Sequence, residues 1–265
     1  MLENNLTTRM IPKIIHYCWL SNDAVPASLQ ECMDSWRKKL PDYEFMLWNF
    51  DRFPKEKSKW VTQAFDNHKY AFAADYIRLY ALYNYGGIYL DMDVEVLKTF
   101  NPLLQLRTML CWQKGADGLE VATFGTEKGA KWISDCLEYY NGRDFIQPDG
   151  TLSTTPLPNI VEDTLRQKGY SFADCNSISE AKTVESNSDT HTLPVLNDSF
   201  FSPRSYNDAK MHITNDTYSI HHFAGTWLPW YSRMKRNIYN SLGLKNQNPI
   251  KTLKEFLRRM VFRNQ

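Results

Sequence analysis

The feature that most constrains this chain is an apolar stretch that ends in two acids. Gly86 and Gly87 precede Ile88, Tyr89 and Leu90, and Asp91, Met92 and Asp93 follow at once. The apolar run predicts a strand, and side chains two apart on a strand point the same way. Asp91 and Asp93 would then share one face where the strand gives out. Two hard oxygen ligands on one face suit a divalent cation. Carboxylates held this close repel each other unless a cation or water lies between them. The reading that follows is a metal that carries a phosphorylated substrate.

The flanking segments predict the sheet to which such a strand belongs. Residues 12–20, PKIIHYCWL, form an apolar, β-branched run after a proline and read as a first strand. Leu29, Met33, Trp36 and Leu40 then recur at helical spacing until Pro41 stops the pattern, and residues 43–49 read as a second strand. Strand, helix, strand is the rhythm of a βαβ unit in a mostly parallel sheet, so the expected class is α/β. A further helix is expected over residues 68–85, with Gly86 in the place of its C-cap. Asp75 and Arg78, three apart, share one of its faces; the plain reading of that pair is a surface ion pair worth little. Later expectations are a strand at 107–113, a helix at 127–142, a loop at 145–158, a helix from Asn159 and a late strand and turn at 217–227. Residues 171–219 read as polar and irregular.

Composition narrows the function classes. Lys and Arg total 31 against 30 Asp and Glu, which leaves no global field to attract nucleic acid. The five cysteines form no CxxC pair and read as reduced thiols. No apolar leader opens the chain and no stretch approaches a membrane span, so a cytoplasmic protein is the expectation. The 265 residues suit one catalytic domain, 1–232, followed by a basic tail, 233–265. In that tail Ile250, Leu253, Leu257 and Met260 form a helical stripe among Lys and Arg, which would suit the anionic inner face of a membrane or simple packing on the domain. His16 lies inside an apolar run and reads as a buried imidazole bonded to backbone.

Three blocks, PKIIHYCW, AADYIRLYALYNYGGIYLDMDVEVLK and IHHFAGTW, together resemble glycosyltransferases of the DXD sugar-binding, capsular-polysaccharide and mannosyltransferase group (family 32), and also the catalytic domains of clostridial glucosylating toxins. The resemblance implies a GT-A type α/β fold whose DXD holds Mn²⁺ or Mg²⁺ against a nucleotide-sugar diphosphate, with a UDP-sugar favoured over GDP-mannose. By the same resemblance Trp19 stacks on the nucleobase, and Tyr17 and Cys18 lend backbone contacts. Asp75 and Arg78 match a DxxR pair reaching the donor sugar and its phosphates. Asp91 lies near ribose and metal, and Asp93 is the direct metal ligand. Tyr89, Met92 and Trp227 line the donor pocket. Asp75, Arg78 and Asp93 are therefore the catalytic candidates. Consecutive histidines on a strand point to opposite faces, so at most one of His221 and His222 joins the metal. The resemblance favours His222, with His221 as the alternative.

The expected partners are a nucleotide sugar and a glycan or lipid-linked oligosaccharide acceptor in bacterial surface polysaccharide synthesis. The acceptor is expected on the loops at 113–120 and 145–160. The expected outcome is retention of anomeric configuration by front-side attack. Two rivals stand beside this: a nucleotide-sugar binding module without turnover, and a DxD phosphatase with Asp91 as nucleophile.

Overall fold

The computed structural model describes residues 10–115, 118–187, 191–205 and 208–225. Trp227 and the basic stretch from 233 lie outside the described residues. In chain order the elements are β1 (Ile14–Cys18), α1 (Ala27–Lys39), β2 (Glu44–Trp48), α2 (Lys59–Asp66), α3 (Tyr70–Tyr85), β3 (Gly87–Leu90), β4 (Val94–Val96), β5 (Thr108–Trp112), β6 (Leu119–Thr126), α4 (Lys131–Glu138), α5 (Leu157–Gln167), β7 (Ser171–Cys175), α6 (Ile178–Ser186), β8 (Thr192–Leu196), β9 (Arg204–Ser205), β10 (Asp208–Met211) and β11 (Ser219–His221).

Seven strands form one sheet in the order β2-β1-β3-β6-β5-β8-β7. β1 runs parallel to β2 and β3, and β5 and β7 run parallel to β8, while β6 is antiparallel to both its neighbours. Six of the seven strands therefore point their C-terminal ends at the same edge. This is the α/β, mostly parallel architecture expected from the strand–helix–strand opening. Alternate residues of each strand feed two apolar layers. One layer packs Met46, Trp48, Tyr89, Val121, Phe124 and Val195 against α2, α3, α4 and α5. The other packs Ile15, Ile88, Leu90, Ala122, Cys111 and Leu196 with α1 and α6.

The glycine pair is required by close approach. Gly87 has φ +104°, and a Cβ there would lie 2.6 Å from the Ile14 carbonyl oxygen; one on Gly86, at φ +67°, would lie 2.6 Å from the Lys128 nitrogen. Such contacts tolerate glycine alone. Beside them His16 is buried as expected. Its Nε2 lies 2.7 Å from the Gly86 carbonyl, and Trp48 Nε1–H donates to its Nδ1 at 3.1 Å. An indole N–H can only donate, so Nδ1 must accept and the proton of the neutral ring sits on Nε2.

Two segments depart from expectation. Residues 119–126 form the central antiparallel strand β6, where a loop was expected up to 120. Every residue of β6 is buried, so neither face alternates with polar residues and the period-two signal is absent. Residues 171–196, expected to be irregular, supply β7, α6 and β8. Polar, half-exposed β7 forms the outer edge of the sheet, where only one side is paired.

Candidate active site

The acidic pair lies just past the strand, in the turn that joins β3 to β4. β3 ends at Leu90, and Val94 N–H donates to the Asp91 carbonyl at 3.0 Å. The expected strand geometry for Asp91–Asp93 is thus corrected to a turn, anchored by Asp91 N–H on the Ala122 carbonyl at 2.8 Å. The two carboxylates still converge, and Met92 between them is 7 % exposed and packs into the apolar layer on the α1 side. Its side chain faces core, leaving only its backbone to meet a ligand.

Antiparallel pairing of β11 with β4 brings the late histidines to the acids, with His221 opposite Val94. Asp91, Asp93 and His221 each offer one ligand atom, all within 4.8 Å of one another. The structure therefore sets His221, the alternative, in the cluster rather than the favoured His222. The reason is the alternation of β11: His222 turns the other way, and its Nε2 lies 3.0 Å from Glu95 Oε2. His222 contributes through its backbone, its N–H meeting the Asp93 carbonyl at 3.0 Å. Phe223 then adopts a left-handed φ of 52°, which turns the chain so that Ala224 N–H donates to Asp93 Oδ2 at 2.7 Å. A bulky residue is rarely found in that conformation, and strain of this kind gathers at functional sites.

Asp75 and Arg78 are buried, not a surface pair, at 8 % and 5 % exposure. Arg78 Nη2 lies 3.2 Å from Asp75 Oδ1 and 3.1 Å from Asp91 Oδ1, and Nη1–H donates to the Val121 carbonyl at 2.9 Å. Its guanidinium also sits 4.5 Å over the Tyr89 ring, whose hydroxyl donates to Asp91 Oδ1 at 3.1 Å. Arg78 Nε is buried without a partner. Burial pushes the Asp75 carboxyl up to about 7 against the pull of Arg78. Burial raises Asp91 as well, with Arg78 opposing and Asp93 adding to the rise.

Glu120 is the site residue that reading the sequence missed. It is 1 % exposed, its Oε1 accepts from Ala122 N–H at 2.7 Å, and its Oε2 lies 3.2 Å from His221 Nδ1. Held by Nδ1, the ring turns Nε2 toward Asp93 Oδ1, 3.6 Å away. Burial works against the His221 imidazolium, but Glu120 and then Asp93 outweigh it and push its pKa well above the histidine norm. Asp93 in turn, despite burial, is held at about 2 by His221 and the Ala224 N–H. A lone glutamate inside the apolar run LEVATF was the available signal, because an acid buried in a strand needs a partner.

Asp91, Asp93 and Glu120 thus face Arg78 and the imidazole of His221, and negative charge is in excess at a partly buried spot. Two carboxylates and an imidazole fit a cation such as Mn²⁺ or Mg²⁺, and an outer carboxylate on the far nitrogen of a ligating histidine is the usual support of such a ligand.

The residues expected from the first strand divide by face. Cys18 lies on the side of Arg78, Tyr89 and Asp91, and burial raises its thiol to about 12. Tyr17 faces the other layer, its ring edge-on to Trp36 at 5.5 Å. Trp19 donates through Nε1 to the Asp23 carbonyl at 3.0 Å. His16 pairs with Tyr89, so Trp19, three residues on, sits beside the acidic turn at the same sheet edge. Trp227 lies outside the described residues.

Residues 26–110 match the glycosyltransferase sugar-binding region containing the DXD motif. Inositol phosphoceramide mannosyltransferase 3 of Schizosaccharomyces pombe is 39 % identical over 98 residues, which is 36 % of this chain and 27 % of that protein. The chain thus spans about a quarter of the length of that relative. An uncharacterized glycosyltransferase of Acanthamoeba polyphaga mimivirus is 26 % identical over 238 residues, 83 % of this chain and 85 % of that one. Among solved structures, the PaToxG glycosyltransferase overlays with a TM-score of 0.46 at 17 % identity, over 60 % of this chain and 70 % of that one. Residues 26–110, which carry the acidic turn and the Asp75–Arg78 helix, are thus similar to the sugar-binding region of glycosyltransferases that contains the DXD motif.

Proposed function

We propose that this chain transfers a sugar from a nucleotide-diphosphate donor to a hydroxyl-bearing acceptor with the help of a divalent cation. The observation that carries this reading is the convergence of Asp91, Asp93 and His221 beside a buried arginine. A cation on those three groups would neutralise the diphosphate and polarise its bond to the sugar. The protein's own part is positioning and charge. Arg78, fixed by Asp75, Asp91 and the Val121 carbonyl, stands where negative charge grows on the leaving diphosphate. Its fork matches phosphate oxygens better than a point charge would. Trp19, at the same sheet edge, is placed to offer an aromatic face to a base. Asp75, raised to about 7 by burial, would hold its proton more firmly as the donor's negative charge arrives.

The likeness to the Schizosaccharomyces pombe inositol phosphoceramide mannosyltransferase supports a mannosyl donor and a glycolipid acceptor, whereas the likeness to clostridial toxin domains supports a UDP-sugar. Retention by front-side attack, a role in surface polysaccharide synthesis and a place at the cytoplasmic face of a membrane remain part of the proposal. Among the described residues no helix is long and apolar enough to cross a membrane. The phosphatase reading has less support, because Asp91 is engaged by Arg78 and Tyr89 rather than open for attack.

The test is a thermal-shift panel of UDP- and GDP-sugars with and without manganese. One donor should stabilise the protein only with the metal and should release nucleoside diphosphate on standing. Stabilisation without any release would favour a binding module, and no manganese-dependent shift with any donor would overturn the proposal.

A further inference from the structure

A second polar cleft opens along the same sheet edge, away from the acidic turn. It has a cavity volume of about 640 Å³ and is lined by Trp112, Gly118, Glu162, Arg166, Asp174 and Asn197, among others. Trp112 ends β5, Asp174 lies near the end of β7, and Asn197 follows β8, so parallel strands deliver all three to one place. Leu90 pairs with Thr123 and Trp112 with Leu119. Four residues of β6 and two strand spacings then separate the strand ends, which puts Trp112 on the order of 15 Å from the acidic turn.

The lining has the character of a saccharide site. Trp112 is half-buried, and its indole N–H donates to Asp174 Oδ1 at 2.7 Å, which fixes the ring plane. Phe172 braces the ring edge-on at 5.8 Å. Glu162 is neutralised in place by Arg166, at 2.7 Å, so the cleft offers no net positive charge to a phosphate. Asn197 and Asn176 add a carboxamide pair joined at 3.3 Å. A fixed aromatic ring among carboxylates and amides matches a neutral pyranose, whose C–H face carries the positive polarity an aromatic face attracts and whose hydroxyls need donors and acceptors around the rim. Gly118 leaves the room: a Cβ there would meet only Glu162 Oε2, at 3.8 Å, and its φ lies outside the left-handed region. The backbone therefore does not demand glycine at this position, and a side chain there would project toward Glu162 in the cleft wall.

We propose that this cleft binds a neutral pyranose of the acceptor glycan, remote from the sugar that receives the transfer. The proposal rests on the transferase reading, and its test keeps the two apart. Saturation-transfer NMR would be recorded with methyl glycosides of glucose, galactose, mannose and N-acetylglucosamine and with their disaccharides. Ring C–H protons of at least one should saturate with the wild type. Gly118→Leu, which fills the cleft, should abolish the signal, and Asp174→Ala, an exposed change that frees the indole, should weaken binding by about tenfold. Both variants should keep the manganese-dependent shift with a nucleoside diphosphate. No saturation with any wild-type mixture, or saturation undiminished in both variants, would overturn the proposal. Loss of the manganese shift in the wild type with saturation intact would sink the donor reading alone.

Discussion

The two ends of β3 hold two histidines, His16 and His221, in opposite ways. At the base, His16 is neutral, hydrogen-bonded by both ring nitrogens and surrounded by Trp48 and the glycine pair; burial lowers its pKa to about 4. At the tip, His221 stands between Glu120 and Asp93, which push its pKa well above the norm. Both rings are enclosed, so burial alone does not separate structure from function. The difference is charge balance. The base satisfies its polar groups and leaves nothing over, whereas the tip gathers more carboxylates than Arg78 and His221 can answer.

Four outcomes would break or sharpen this contrast. Gly87→Ala should be the most damaging, costing roughly 3–5 kcal/mol in urea unfolding, because the added Cβ collides with backbone in a left-handed conformation. A change under 1 kcal/mol would show that the base yields where the packing says it cannot. His16 comes next, through pH. Its folded pKa, about 4, lies below the unfolded value of 6.5, so the unfolded chain binds the proton first. Its stabilisation is complete above pH 6.5 and is lost as pH falls toward 4, a loss of about 3 kcal/mol. His16→Gln can still accept from Trp48 and donate to the Gly86 carbonyl, and its stability profile should lack that acid slope. An unchanged slope would assign it to other groups.

At the tip, Asp93→Asn should weaken manganese binding, read by calorimetry with a nucleoside diphosphate present, by about a hundredfold while leaving the fold intact. Equal affinity in wild type and variant would remove the cation from the site. The smallest effect should come from Glu120→Gln, about tenfold in manganese affinity. The amide oxygen would stay on Ala122 N–H, turning the NH₂ toward His221 Nδ1 and moving the ring proton onto Nε2, the atom needed by the cation. A proton-detected imidazole spectrum should show that tautomer change, which mere loosening would not produce.

Much of the base was legible and less of the tip. β1, α1, β2 and α3 follow from their apolar runs and spacing and from the stops at Pro41 and Gly86. β6 and the β7–β8 pair were not, for opposite reasons: β6 is buried on both sides, and β7 is polar at the edge. Glu120 was hidden with its strand. His221 and His222 are equivalent on paper, because adjacent residues differ only by the face they take, and face is set by pairing with β4.

The amino-acid order alone determined that the chain is α/β, that an apolar strand breaks off into paired acids behind two glycines, and that Asp75 and Arg78 share a helical face. These are short-range matters of periodicity and backbone freedom. Only the tertiary structure decided that the acids sit in a turn, that Arg78 is buried against Asp91, and that His221, 128 residues after Asp93, arrives beside it with Glu120, 27 residues after Asp93, on the ring's far nitrogen. Such meetings depend on strand order and register, which are settled by burying two apolar layers at once and leave no mark in any local stretch of sequence.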